Sequence, residues 1–284
     1  ASGREHRVLV AGPSAPPPDS GYPLVVLLDA QHGFGTIVEG IRLRARRPDA
    51  TGVGPAIVVG LNPIVENADR HARRVFDYTP WPGPDADPHA VDLASGGAAA
   101  FLRFLEGQVL PPVEAQYPID ASHRVLIGHS LAGLFTLWAL SVGAPFTAYV
   151  SVSPSLWWNA TALRDVLTRR VANDADIRRV MLTVGEYEQR RAPWQPAAGI
   201  TDDALRRRID RRMVEHAFET ASIVTAAGHV VDYHVFEGED HASVLALTLA
   251  RALRFTLPPA CRMAATPWSP IGDRTLVSRS SEGS

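Results

Sequence analysis

Ser130 stands between the apolar run Val125-Leu-Ile and a second apolar run that opens at Leu131, with Gly128 two residues before it and Ala132 two after. A serine hydroxyl is a poor nucleophile until a base takes its proton during attack. Small residues flanking the serine permit a tight strand-to-helix turn that lifts the oxygen clear of a sheet and leaves the next backbone N–H free for an oxyanion. The spacing therefore predicts a nucleophilic Ser130, an acyl-serine intermediate, and Leu131 N–H as one oxyanion donor. Ala132 occupies the position more often held by glycine, and Gly133 follows at once.

Ten histidines could supply the base. In the chain order nucleophile, acid, histidine, the base sits in the loop after the last strand, and Glu237-Gly-Glu-Asp-His241 occupies that place. His129 is too close along the chain to reach Ser130 productively. His216 falls inside a helical pattern, His229 and His234 flank or occupy a strand, and none forms an H-E-x-x-H metal helix. The acid should follow the strand ending at Val184, where Glu186 and Glu188 are both available. Glu188 is preferred because the chain must turn before a carboxylate can point back. Glu186 is the alternative, and a Ser-His pair without an essential acid is a third, since the acid orients the histidine rather than reacting. The second oxyanion donor is expected after the strand ending at Leu28, at Gln31 N–H.

Short apolar runs alternating with helical patterns must position these groups, and they predict an α/β fold with a mostly parallel central sheet flanked by helices on both faces. Strands are expected from Arg7, over Leu24 to Leu28, Ala56 to Gly60, Arg124 to Gly128, Ala148 to Val152, Arg179 to Val184 and Val230 to Phe236. Helices are expected over Leu93 to Val113, Leu131 to Leu140, Ala160 to Val171, Asp203 to Ala226 and from Val244. Asn62 to His89, polar and rich in Pro and Arg, reads as a long surface loop of the kind that carries function. There is no internal repeat and no linker, so one domain over 1–272 and a loose tail over 273–284 are expected.

Composition removes several classes. The formal net charge of −2 argues against nucleic-acid partners. All 28 basic residues are arginine, which excludes a phosphate-loop lysine, a Schiff-base lysine and a lysine general base. Cys261 is the only cysteine, so neither an intrachain disulfide nor a Cys-based zinc site is available. No apolar stretch is long enough to span a bilayer. The expected compartment is the cytoplasm, with the periplasm as alternative had a signal peptide preceded residue 1.

Five segments together resemble the family of α/β-hydrolase esterases that includes the siderophore esterases acting on enterobactin-, salmochelin- and bacillibactin-type trilactones. They are Tyr22-Pro-Leu-Val-Val-Leu-Leu-Asp29, Arg73-Arg-Val-Phe-Asp-Tyr-Thr-Pro80, Ile127-Gly-His-Ser-Leu-Ala-Gly-Leu-Phe135, Ser151-Val-Ser-Pro-Ser-Leu-Trp-Trp158 and Glu239-Asp-His241. The serine and histidine segments are shared with S-formylglutathione hydrolases and mycolyltransferases, so they speak to chemistry. The arginine and tryptophan segments look like the siderophore branch. Ala30 departs from the glycine many relatives carry, and no N-terminal lid domain can be matched.

The resemblance implies a serine esterase in iron acquisition, with no metal or organic cofactor and a small-molecule ester, such as an iron–siderophore complex, as its partner. A general carboxylesterase or acyltransferase, and a catalytically silent ligand-binding protein, are the rival readings. A ferric catecholate is anionic and aromatic, which suits arginine and tryptophan. Arg73, Arg74, Trp157 and Trp158 are the expected contacts, with Arg70, Arg190, Arg191, Trp81 and Trp194 in neighbouring loops. Arginine clusters arise cheaply where arginine is the only basic residue, and tryptophans often cover a core edge.

Overall fold

The computed structural model describes residues 5–13, 16–83, 93–171, 176–195 and 201–257. Among the described residues seven strands form one sheet: β1 (His6–Ala11), β2 (Tyr22–Leu28), β3 (Ile57–Pro63), β4 (Ile119–His129), β5 (Ala148–Val152), β6 (Arg179–Gly185) and β7 (Val230–Phe236). Their spatial order is β1-β3-β2-β4-β5-β6-β7. Only β1 runs antiparallel to its neighbour, and every other pairing is parallel. After β3 the chain crosses back over β2 to lay down β4, so the sheet reverses its direction of growth there. Parallel sheets bind ligands at the strand C-termini beside such a reversal.

The interior strands read as unbroken apolar runs because both faces are covered. Alternate side chains of β2 feed two cores: Leu24, Val26 and Leu28 enter one, and Val25 and Leu27 the other. Helices α1 (Phe34–Arg44) and α10 (Val244–Thr256) pack together on the second face. The first face carries α3 (Arg70–Tyr78), α4 (Ala98–Phe104), α5 (Leu110–Gln116), α6 (Leu131–Ser141), α7 (Ala160–Val171) and α9 (Met213–Ala226). Between these lie the short α2 (Pro48–Thr51) and α8 (Asp202–Asp210). Helix α6 is buried along its whole length, as its unbroken apolar sequence requires.

Several sequence expectations need correction. Asn62 to His89 is not an open loop, because residues 70–78 form α3 and bury Val75, Asp77 and Tyr78. The high proportion of arginine concealed that apolar stripe. Residues 84–89 of that segment lie outside the described residues. The helix expected from Leu93 starts at Ala98 and passes through a π-helical turn, Leu105–Val109, just before Pro111 and Pro112, which donate no backbone hydrogen bond. Asp203 to Ala226 is two helices, broken where Arg212 adopts a left-handed φ of 43°. Strand β4 begins at Ile119 rather than Arg124, and α1 was absent from the sequence reading. The expected 273–284 tail and Cys261 lie outside the described residues.

Gly128 is the penultimate residue of β4, where α6 folds back over it, and a Cβ there would overlap the Ala132 carbonyl and the Thr136 hydroxyl. Gly133 is also tightly enclosed, with Val152 O, Pro154 Cα and Ser151 Oγ 3.0–3.2 Å from a would-be Cβ. Backbone atoms cannot yield as a flexible side chain would. Gly128→Ala is expected to destabilise the protein by about 1–3 kcal/mol, read as a lower urea midpoint at unchanged slope. An unaltered midpoint would show that the elbow relaxes more freely than its packing implies.

Candidate active site

Strand β4 ends at His129, and the chain turns at Ser130 with φ 61° and ψ −119° before entering α6. Positive φ is costly for a residue with a Cβ and persists where its surroundings hold it. Here Ser130 N–H donates to Val152 O at 2.9 Å, and Ser155 N–H donates to Ser130 O at 3.0 Å. Leu131, as first residue of α6, has no partner for its N–H within the helix.

Three sequence candidates meet at this turn. Ser130 Oγ lies 3.1 Å from His241 Nε2, and His241 Nδ1 lies 2.9 Å from Glu188 Oε2. The Glu188 side chain is 3% exposed and that of His241 44%, so the acid is sealed while the imidazole borders solvent. Burial alone would raise the Glu188 carboxyl. The His241 hydrogen bond and charge, the Ser153 hydroxyl and Gly185 N–H outweigh it and hold the group below the usual carboxylate range. An ionised carboxylate only accepts, so Nδ1 carries the imidazole proton and Nε2 is left to accept from the Ser130 hydroxyl.

Glu186 is directed elsewhere. It accepts from Gly238 N–H at 2.7 Å and pairs with Arg190, one turn along its own loop. A short 3₁₀ turn, Glu186–Glu188, separates the two carboxylates and sends only the second inward. Arg73 is also a correction. It pairs with Asp77 and lies against the His6 ring, its side chain 9% exposed, outside both cavities described below. The i,i+4 spacing on α3 brings that pair together. Gln31 N–H donates to Asn62 Oδ1 at 2.8 Å rather than being free to face Ser130. Asp29, in a left-handed conformation (φ 50°), opens a 3₁₀ turn that swings Gln31 away.

Arg74 donates from Nε to Asp29 Oδ2 at 2.8 Å and borders two cavities that meet at Ser130 and His241. The first, about 430 Å³, is walled by Trp157, Trp158, Tyr187, Arg208 and Arg211. Trp158 is mainly a core residue whose Nε1–H donates to Trp81 O at 2.8 Å, whereas the Arg211 guanidinium stacks on Trp157 at 3.9 Å. The second, about 610 Å³, is lined by His32, Arg70, His71 and Ser243. Trp194 stands edge-on to Tyr187.

The sequence reading missed Arg208 and Arg211, which a continuous helix would have placed on its solvent face. The signal was five arginines within residues 206–212, too dense for an ordinary helix surface. It also missed two serines. Ser153, buried at φ 40°, donates its hydroxyl to Glu188, and Ser155 Oγ lies 3.1 Å from Ser130 Oγ.

A family model described as "Putative esterase" matches residues 1–256. The chain is 33% identical over 265 residues to the ferri-bacillibactin esterase BesA of Bacillus subtilis (strain 168), covering 90% of this chain and 86% of that one. It is 30% identical over 241 residues to the siderophore triacetylfusarinine C esterase of Aspergillus fumigatus, covering 81% and 80%. The crystal structure of BES protein from Bacillus cereus superposes with a TM-score of 0.74 at 30% identity, over 91% of each chain.

The two carboxylates make separable predictions. Glu188→Gln should lower kcat by roughly 10⁴-fold, as loss of the orienting acid does in other triads, while Glu186→Gln should leave kcat within a few-fold. Equal effects of the two substitutions on ester hydrolysis would discredit the assignment of Glu188.

Proposed function

The chain belongs to the family described as "Putative esterase" and is an esterase of the α/β-hydrolase fold; from that premise we propose that it cleaves a siderophore ester, with Ser130 as nucleophile, His241 as general base and Glu188 as orienting acid. The observation that carries this reading is the hydrogen-bonded relay from Glu188 through His241 to Ser130, opening onto a cavity with aromatic and cationic walls. In this reading Ser130 Oγ attacks the ester carbonyl as its proton passes to His241 Nε2. Glu188 stabilises the resulting imidazolium, and Leu131 N–H donates to the oxyanion. The imidazolium then protonates the departing alkoxide, and water repeats the sequence on the acyl-serine.

The substrate class rests on the wall chemistry and on the relatives, which are named for ferri-bacillibactin and triacetylfusarinine C. An anionic ferric catecholate suits an indole face beneath a guanidinium, since both its charge and its rings find partners there. Arg208 and Arg211 take over the role first expected of Arg73. Arg74, Trp157 and Trp158 remain contacts in this reading.

Two experiments test it. Ser130→Ala should lower turnover of any ester by on the order of 10⁶ and abolish labelling by a phosphonate probe. Retained turnover would remove the nucleophile. Arg211→Gln should raise KM for a ferric catecholate trilactone roughly tenfold, as loss of a charge-assisted contact does, and leave p-nitrophenyl acetate unaffected. The charge acts on ground state and transition state alike, so kcat should hold. Equal losses on both esters would assign Arg211 to loop structure and favour a general carboxylesterase.

A further inference from the structure

His129 is the last residue of β4 and immediately precedes the nucleophile, yet its ring is not directed at Ser130. Its Nε2 lies 2.7 Å from the backbone carbonyl of His241, and the two imidazole rings meet at a tilt, with centroids 4.7 Å apart and planes inclined at 41°. Burial first, and then the adjacent His241 ring, push the His129 imidazole down to about 3, against opposing pulls from the His241 carbonyl and Glu188, with Arg74 adding a smaller downward push. The ring is therefore neutral at working pH. A carbonyl only accepts, so Nε2 carries the proton.

The segment that bears His241 has several other ties, and they lie within itself or toward β6. Asp240 Oδ1 accepts from Ala242 N–H and Ser243 N–H, and Asp240 N–H donates to Ser243 Oγ. Tyr187 N–H donates to Glu239 O, and Gly238 N–H to Glu186. None of these fixes residue 241 relative to the strand that carries the nucleophile. The His129 bond does, and it acts beside the Ser130 contact, so two consecutive residues grip residue 241 at its backbone and at its ring.

We propose that His129 is a positioning residue for the base, holding the main chain of residue 241 through a hydrogen bond from Nε2–H so that the imidazole meets Ser130 at reacting distance. This rests on the assignment of His241 as general base. A displacement of about 1 Å at a reacting group can cost on the order of a hundredfold in rate. Removing the bond should therefore act on kcat, whereas a merely space-filling ring should be replaceable by another ring of similar size.

The experiment is kinetic, with p-nitrophenyl acetate so that siderophore specificity plays no part. His129→Phe keeps a ring and deletes the donor; His129→Gln restores an N–H at nearly the same reach. The Phe variant should lose roughly 10- to 100-fold in kcat with KM within about twofold, and the Gln variant should regain most of it. In a His241→Ala background His129→Phe should cost nothing further, since it acts only through His241. Unimpaired kcat in the Phe variant, or the same loss with His241 already removed, overturns the inference. If His129→Phe does not fold, His129→Asn replaces it, its amide being too short to reach the carbonyl, and equal kcat for Asn and Gln overturns the inference. Wild-type turnover in His241→Ala alone would overturn the base assignment, and this inference with it. A normal loss there with an intact His129→Phe overturns this inference alone.

Discussion

The site depends on one backbone constraint: the chain must leave the C-terminal ends of three adjacent parallel strands at positive φ without glycine. Asp29 after β2, Ser130 after β4 and Ser153 after β5 all do so. Each costs of order 1–3 kcal/mol, and each is held by neighbours. Ser130 N–H is tied to β5 at Val152 O, and Ser153 N–H to β6 at Thr183 O. The parallel register puts these turns side by side, so the strain of one is supported by the backbone of the next. Asp29 takes part through its side chain, which binds Arg74 and Tyr78.

From that constraint the electrostatics follow. A buried carboxylate is tolerated only with donors around it, and Glu188 has His241, Ser153 and Gly185. Keeping the acid ionised fixes the tautomer of His241, which fixes the direction of the proton to be moved. The neighbouring imidazole of His129 is instead held neutral, chiefly by desolvation. Its ring lies 4.7 Å from that of His241, centroid to centroid.

Much of this was legible in the sequence, for reasons that also mark where legibility ended. Buried strands and α6 announce themselves as apolar runs, and the positions of Ser130, His241 and Glu188 follow from strand ends and chain order. Arg73 and α3 were misjudged because a charged helix with a narrow apolar stripe resembles a loop until its burial is known. Gln31 was misjudged because a backbone donor's direction depends on the left-handed Asp29, which no side-chain pattern reports. Arg208 and Arg211 were hidden by the break at Arg212, an arginine in a conformation that favours glycine. Ser153 and Ser155 lay within a recognised segment, but their partners belong to distant loops.

The sheet order has a consequence for how the enzyme ages with temperature. Ser130, the proposed nucleophile, follows β4, hydrogen-bonded along both sides, whereas His241, the proposed base, follows β7, which among the described residues pairs on one side only and leaves Val230 and Val235 partly in water. Peripheral strands and the loops they carry open at lower free energy than interior ones. The relay therefore joins a stiff half to a soft half, and its alignment is expected to melt out as a local, recoverable event while the six-strand remainder is still folded. Warming would then silence the enzyme before it denatures it, and cooling would bring it back.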